Sequence, residues 1–491
     1  MLVDMKNFAH LVSQSLLLAG GLAVGLVASA ASPAESEKVA AQLRDQASAG
    51  KSIAYNLVSD LTTRFGPRPA GSASEQQSAK WLANEFQKMG FSNVAVEEFP
   101  LTSWSRGQES AEIISPSPQK LAAAALGGSP PTPAAGLEGE VVLFRSLDEL
   151  LAAPEGSLTG KIAMVSRRMV STQDGSGYGV AVAARSRGPS EAQKRGAIAF
   201  LLRSLGTDSA RMPHVGASAY IGGRTTVPSF AVSTPDADQL ERLVALGQPV
   251  KVRVFSSAKL DPNAHSQNVI AEVRGSEAPD EVVLLGAHLD SWDQGTGAID
   301  DAAGVAIIAA AAKLIQDQPR KPRRTIRIVA FGSEEVSQPK PPFGVFGGHA
   351  YANKRLGMLE KHIIAGESDF GADRIYGLQL PKGAAESEWA KALYRVLDPA
   401  GVLPAAGDPG HGGADVGPTV ARGVPAFLLQ QDGTRYFDLH HTADDTLDKI
   451  DRKQLEQNVA AWVALTWLIA DSDVDFRKLA AAAAAAPADA H

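Results

Sequence analysis

The 491-residue chain contains no cysteine, and that single absence removes thiol catalysis, thiolate zinc sites and disulfides together. Other absences narrow the field further. No histidine is followed by glutamate, so the H-E-x-x-H helix of one class of zinc proteases is missing, and no G-x-S-x-G segment marks a nucleophilic serine on a strand-to-helix turn. No run of basic residues suggests a groove for a phosphate backbone: Lys321-Pro322-Arg323-Arg324 reads as a charged lead into a strand, and the formal net charge of −7 argues against nucleic acid as a partner. With 44% hydrophobic residues, the chain has the make-up of a soluble globular protein of two or more domains.

The front of the chain carries Lys6, an apolar run over residues 11–28 and then Ala28-Ser29-Ala30, the charged region, hydrophobic core and small-residue cleavage site of a secretory leader. We expect residues 1–30 to be a signal peptide, cleaved after Ala30, and the mature protein to be periplasmic or secreted, with no membrane attachment after cleavage. As a membrane anchor the run is short and interrupted by Ser13, Gln14 and Ser15. A large core needs no disulfides, so their absence does not oppose export.

What the sequence does hold is concentrated in residues 286–303, G-A-H-L-D-S-W-D-Q-G-T-G-A-I-D-D-A-A. Residues 281–285 just before it read as an inner parallel strand, so His288 and Asp290 emerge at its carboxyl end, where open α/β sheets hold ligands. Asp300 and Asp301 then open an Ala-rich helix. Three more apolar runs end in the same chemistry: 325–331 leads to Glu334-Glu335, 362–366 to Glu367-Ser368-Asp369, and 425–430 to His440-His441-Thr442-Ala443-Asp444-Asp445-Thr446. A mixed imidazole and carboxylate set suits zinc, with ligand distances of about 2.0–2.2 Å. Five ligands exceed what one catalytic zinc takes from protein, and two ions sharing a carboxylate account for the surplus. Taken singly each residue has an ordinary reading, Asp300-Asp301 as a helix cap and Glu334-Glu335 as a solvated pair. Four strand ends delivering compatible ligands is what carries the metal reading.

The H-L-D-S-W-D, G-A-x-D-D, E-E, E-S-D and H-H-x-x-x-D-T segments, in that order, with Arg64-Phe65-Gly66-Pro67-Arg68-Pro69-Ala70-Gly71-Ser72 near the front, resemble the co-catalytic zinc aminopeptidase family that includes bacterial leucyl aminopeptidases and glutamate carboxypeptidases. The resemblance spans nearly the whole mature chain. It implies two Zn2+ ions, with His288 and Asp369 on one, Glu335 and His441 on the other and Asp300 between them through a cis Asp300–Asp301 peptide. It also implies Glu334 as the general base. Adjacent glutamates at a strand end diverge, so one can ligate while the other takes a proton from a zinc-bound water and passes it to the leaving amine. Asp290 is positioned by sequence to accept the outer ring N–H of His288, and Asp445 to do the same for His441. His440 is left to substrate contact or to the surroundings of the ligands. His411, on a glycine loop, borders the substrate pocket or serves a turn.

Residues 31–112 and 263–471 are expected to form one peptidase domain, a mixed, largely parallel α/β sheet with helices on both faces. Residues 113–262, with short β-like runs and no ligand set, read as a β-rich insertion resembling a protease-associated domain that walls the cleft and limits it to short peptides. His214, in Met212-Pro213-His214-Val215-Gly216, is its candidate for substrate contact. Residues 472–491 lack a packing face and read as a disordered tail. The implied function is a dipeptide- or short-peptide-cleaving exopeptidase, with a homodimer left open. Two rivals stand beside it, a single-zinc glutaminyl cyclase and a non-catalytic ectodomain of the transferrin-receptor type. One departure from the family pattern is Gln338-Pro339-Lys340-Pro341-Pro342 shortly after Glu335, which puts side-chain preference in doubt.

Overall fold

The computed structural model describes residues 32–219 and 226–485, and the expected leader therefore lies outside the described residues. Its central sheet has the strand order Ser92–Ser105, Lys259–Val273, Arg324–Phe331, Ala278–His288, His362–Glu367. A parallel bridge from Ala365 to Ala426 continues it into a smaller sheet of Leu428–Gln431, Ile375–Gln379 and Leu403–Pro404. In the larger sheet only the pairings made by Ala278–His288 with its two neighbours are parallel. Ser92–Ser105 and Lys259–Val273 pair antiparallel because one leads into the inserted segment and the other leads out of it, so the sheet is less parallel than expected.

The inner strands read as continuous apolar runs because both their faces are covered. Val283, Leu285 and Ala287 point into the core shared with the helices Pro33–Ser48, Ala303–Gln316 and Arg452–Asp471, while Leu284 points to the opposite core with Phe331 and Tyr351. Period-two alternation sorts one strand's residues between two layers. The helix Arg452–Asp471, amphipathic at its polar start, is buried on every side from Asn458 to Ala470.

The inserted segment builds its own eight-stranded sheet between Glu109 and Ser256, with cores on both faces. It also contains two long helices, Ser176–Lys194 and Thr234–Ala245, where short β-like runs alone were expected. Gly177, Gly179, Gly188 and Pro189 hide the first, since glycine and proline are poor helix formers. Tertiary packing overrides them: an ideal Cβ on Gly188 would lie 2.4 Å from the Phe200 ring, so only glycine lets the helix settle there. Ser233, whose side chain accepts from the Asp236 N–H, caps the second.

The stretch 472–485 corrects the expectation of a disordered tail, whose remainder, 486–491, lies outside the described residues. This stretch forms the helix Phe476–Ala485, and the Phe476 ring is buried edge-on against Trp389 at 5.1 Å. Arg477 donates to the Leu359 carbonyl at 2.7 Å and to that of His362 at 2.9 Å. Among the described residues no helix is long and apolar enough to cross a membrane.

Candidate metal centre

His288 ends its strand, Glu334 and Glu335 follow the strand that ends at Phe331, and Asp369 stands two residues past the strand ending at Glu367. Neighbouring strands thus bring all four to one edge of the sheet. His441 arrives from the far end of the sheet, turned inwards by a left-handed backbone, φ 62°, just after the short helix Tyr436–Leu439. Asp300 sits in the tight turn Ala298–Ala302, and the Asp300–Asp301 peptide is cis, as the resemblance implies.

Asp300 lies between two groups. Its Oδ1 is 3.1 Å from His288 Nε2, which is itself 3.3 Å from Asp369 Oδ1. Its Oδ2 is 3.3 Å from His441 Nε2, which is 3.0 Å from Glu335 Oε2. Two ligands of one tetrahedral zinc stand about 3.3–3.6 Å apart when each is 2.0–2.2 Å from the ion, so these spacings suit shared ions. Asp301 and His440 also present ligand atoms to these groups. The Asp301 carboxylate, however, accepts the backbone N–H groups of His288 and Gly304, each at 3.0 Å. His440 stacks on the His441 ring, centroids 3.4 Å apart.

The electrostatics fit a cationic occupant. Burial pushes the Glu335 carboxyl well above the usual range, and Asp300 and Glu334 push it further. Burial likewise raises Glu334 to about 8, with Asp369 and Asp290 adding to the rise and His288 opposing it. Burial works against a charged His288, but Asp369 and Asp300 outweigh it and hold the ring well above its ordinary value. Glu335 Oε1 is buried without a hydrogen-bond partner among the described residues. An orphaned carboxylate oxygen amid excess negative charge is costly in a protein interior, and a divalent cation satisfies it.

Two supporting contacts differ from those expected. The outer ring nitrogen of His288, Nδ1, lies 2.8 Å from the Asp290 backbone carbonyl, whereas the Asp290 carboxylate is 3.8 Å away. That carboxylate is instead occupied by the backbone N–H groups of Glu334 at 3.0 Å and Glu335 at 3.3 Å, so Asp290 shapes the turn that presents both glutamates. Asp445 does not reach His441. It accepts the N–H groups of Ile299 at 2.6 Å and Asp300 at 3.3 Å and so fixes the turn carrying Asp300, while His441 Nδ1 meets the Val215 carbonyl at 3.2 Å.

A cavity of about 330 Å³ opens over the centre, lined by Asp300, Glu334, Glu335, Asp369, His440 and His441, with Tyr178, Arg185 and Ala217 from the inserted segment. Val336, Ser337 and Gly344 bring the proline-rich loop to its rim, and Gln338 ties that loop to Thr102 through hydrogen bonds of 2.9 and 3.1 Å. His214 and His411 are not on the wall. His214 is buried, and burial lowers its pKa to about 4; its neighbour Val215 makes the contact with His441. His411 is exposed because the loop turns the other way, seating Gly413 against Glu367 where a side chain would collide at 2.2 Å.

Sequence reasoning missed four contributors. Trp292 donates its indole N–H to Glu335 Oε2 at 2.6 Å, and only its place in H-L-D-S-W-D hinted at a role. Arg68 is buried beneath the centre, donating to the carbonyls of Leu289, Thr296 and Gly297 at 2.7–2.9 Å. Burial lowers its pKa to about 10 against the pull of Asp445 and Asp290. Nothing in the sequence flagged Val215 or Arg185.

A strand-end cluster of this kind on a mixed α/β sheet could hold metal, and residues 268–466 match the description "Peptidase family M28", the metallopeptidase family to which the chain belongs. It is 32% identical to carboxypeptidase Q of Mus musculus over 85% of this chain and 86% of that protein. The crystal structure of a peptidase M28 precursor from Shewanella amazonensis SB2B superposes with a TM-score of 0.85 at 44% identity, covering 90% of this chain and 98% of the other. The zinc aminopeptidase of Bacillus subtilis shares the fold, with a TM-score of 0.61 at 20% identity over 86% of this chain and 95% of its own. The description of that Bacillus subtilis enzyme names zinc, and the His, Asp and Glu groups assembled here are of the kind that could hold a metal ion.

Proposed function

We propose that the protein is a secreted or periplasmic two-zinc exopeptidase that hydrolyses dipeptides or short peptides, with Glu334 as its general base. The observation that carries this reading is the division of Asp300, whose Oδ1 faces His288 and whose Oδ2 faces His441. In this reading His288 and Asp369 hold one ion, Glu335 and His441 the other, and Asp300 bridges them. Bound zinc supplies Lewis-acid polarisation of the scissile carbonyl and makes a water nucleophilic near neutral pH.

The chain's own residues do the rest. Glu334, on the cavity wall, takes the proton of the attacking water on its carboxylate and returns it to the leaving amine nitrogen. The Val215 carbonyl accepts from His441 Nδ1, which leaves the Nε2 lone pair directed at Asp300 and Glu335. Tyr178, Phe437 and His440 form an aromatic wall that excludes water and orients the peptide, with Tyr178 stacked on Phe437 at 4.4 Å. The inserted segment narrows the cleft and favours short substrates. Export is supported by the leader pattern in residues 1–30.

Elemental analysis of the purified protein together with turnover of a dipeptide panel tests the reading. Two zinc equivalents and chelator-sensitive cleavage are expected. One tightly bound metal at full activity would overturn the two-ion centre and favour a single-zinc enzyme.

A further inference from the structure

Among the described residues, Arg185 is the only lysine or arginine on the wall of the central cavity, which otherwise carries the carboxyl groups of Asp300, Glu334, Glu335 and Asp369. The helix Ser176–Lys194 delivers it from the inserted segment, and its side chain is buried. Among the described residues it pairs with no carboxylate. Its Nη1 reaches the Val215 carbonyl at 3.3 Å and lies 3.4 Å from His441 Nδ1, the guanidinium sits 5.6 Å from the centre of the Tyr178 ring, and Nε is buried with no partner among the described residues. Gly216 makes room for it: with φ at +130°, an ideal Cβ there would fall 2.2 Å from Nη1. Tyr178 and Gly216 therefore form a seat built for a guanidinium.

Proteins keep buried cations paired, because an uncompensated charge in a low-dielectric interior is costly. The four nearby carboxylates do not supply the partner, since they face the metal centre. An anion arriving from the cavity would pair Arg185, and a planar guanidinium fits a carboxylate best. We propose that Arg185 is a specificity-determining residue that anchors the free C-terminal carboxylate of the peptide, holding the scissile bond over the metal centre. This rests on the exopeptidase reading above. It gives the inserted segment a chemical role besides narrowing the cleft.

The test uses the full-length zinc-loaded protein with Ala-Leu, Ala-Leu-amide and Ala-Glu-amide. Wild type should favour Ala-Leu over both amides by about 10- to 100-fold in kcat/KM, the range expected for charge-assisted hydrogen bonds. Arg185→Gln should bring the acid-to-amide ratio close to one at unchanged zinc content, and Arg185→Lys should recover part of it. A wild-type ratio near one overturns the proposal. So does an Arg185→Gln enzyme slowed equally on acid and amide, which would mark a support role through Val215 and His441, and so does Ala-Glu-amide cleaved as well as Ala-Leu, which would mark a side-chain site. If no peptide is cleaved, the exopeptidase reading fails, and calorimetry decides Arg185 separately. Leucine binding more tightly than leucinamide in wild type but not in Arg185→Gln sustains the anchor, and equal binding in wild type overturns it.

Discussion

The indole N–H of Trp292 donates to Glu335 Oε2 at 2.6 Å while the ring of the same residue is buried in a core of the inserted sheet. Trp104 packs edge-on against it at 6.3 Å, so one side chain of the H-L-D-S-W-D loop joins the candidate metal centre to the packing of the second unit. Removing the donor while keeping an aromatic ring should isolate that link. Trp292→Phe is expected to weaken zinc retention or turnover by about 10- to 100-fold, the usual cost of losing a partner of a metal ligand. Chelator competition on the variant and wild type measures it, and equal zinc affinity together with equal turnover would refute the link.

The same ring can be displaced from the other side. An ideal Cβ on Gly127 would stand 2.1 Å from the Trp292 ring, far inside van der Waals contact. Gly127→Ala should therefore destabilise by about 1–3 kcal/mol, as overpacked cores do, and should lower activity along with the melting temperature. Thermal unfolding beside a turnover assay checks both effects. A variant with wild-type melting and wild-type rate would show that the ring moves freely.

Glu334 and Glu335 are adjacent but should behave differently. Glu334→Gln should keep its zinc and lose about 10²- to 10⁴-fold in turnover, the contribution typical of a general base. Glu335→Gln should lose zinc, because it removes a charged oxygen facing His441 at 3.0 Å. Metal analysis and steady-state kinetics on the pair separate the roles. Near-normal turnover in Glu334→Gln would mean the base lies elsewhere.

His362 offers a test remote from the metal centre. The ring is buried, with Nε2 2.8 Å from the Tyr351 hydroxyl and Nδ1 3.2 Å from the Met358 carbonyl, and burial followed by the charge of Arg327 lowers its pKa from 6.5 to about 4. Between those two values the unfolded chain binds a proton that the folded ring does not. The stability tied to neutral His362 is therefore complete above pH 6.5 and is lost as pH falls towards 4, by about 3 kcal/mol at most. Denaturant unfolding at pH 7 and pH 4.5 should show a smaller drop for His362→Gln than for wild type. Identical drops would place the ring outside this account.

The strand ends were legible because buried parallel strands are written as unbroken apolar runs: residues 281–285, 325–331 and 362–366 fall in the adjoining strands Ala278–His288, Arg324–Phe331 and His362–Glu367. The approach of His288 and His441 to the two oxygens of Asp300 was legible only as an order of motifs. Local pattern failed where a long-range contact decides. The Asp290 carboxylate was free to be assigned to His288 until the turn at Ser333, with φ 62°, brought the Glu334 and Glu335 N–H groups onto it. The helix Ser176–Lys194, which carries Arg185 and Tyr178 to the cavity, was hidden by its own glycines and proline. The segment Met212-Pro213-His214-Val215-Gly216 marks out His214, whereas the contact comes from the backbone of Val215, whose carbonyl any residue would carry.

The Val215 carbonyl against His441 also has a consequence for the order in which the centre comes into being. His288 and His441 lie far apart along the chain, and the group that orients His441 belongs to a separately packed sheet. A nascent or half-folded chain thus presents only scattered, mutually misaligned donors. On the proposed zinc reading, metal capture would be the closing act of maturation, and a chain that holds metal would already have docked both of its sheets.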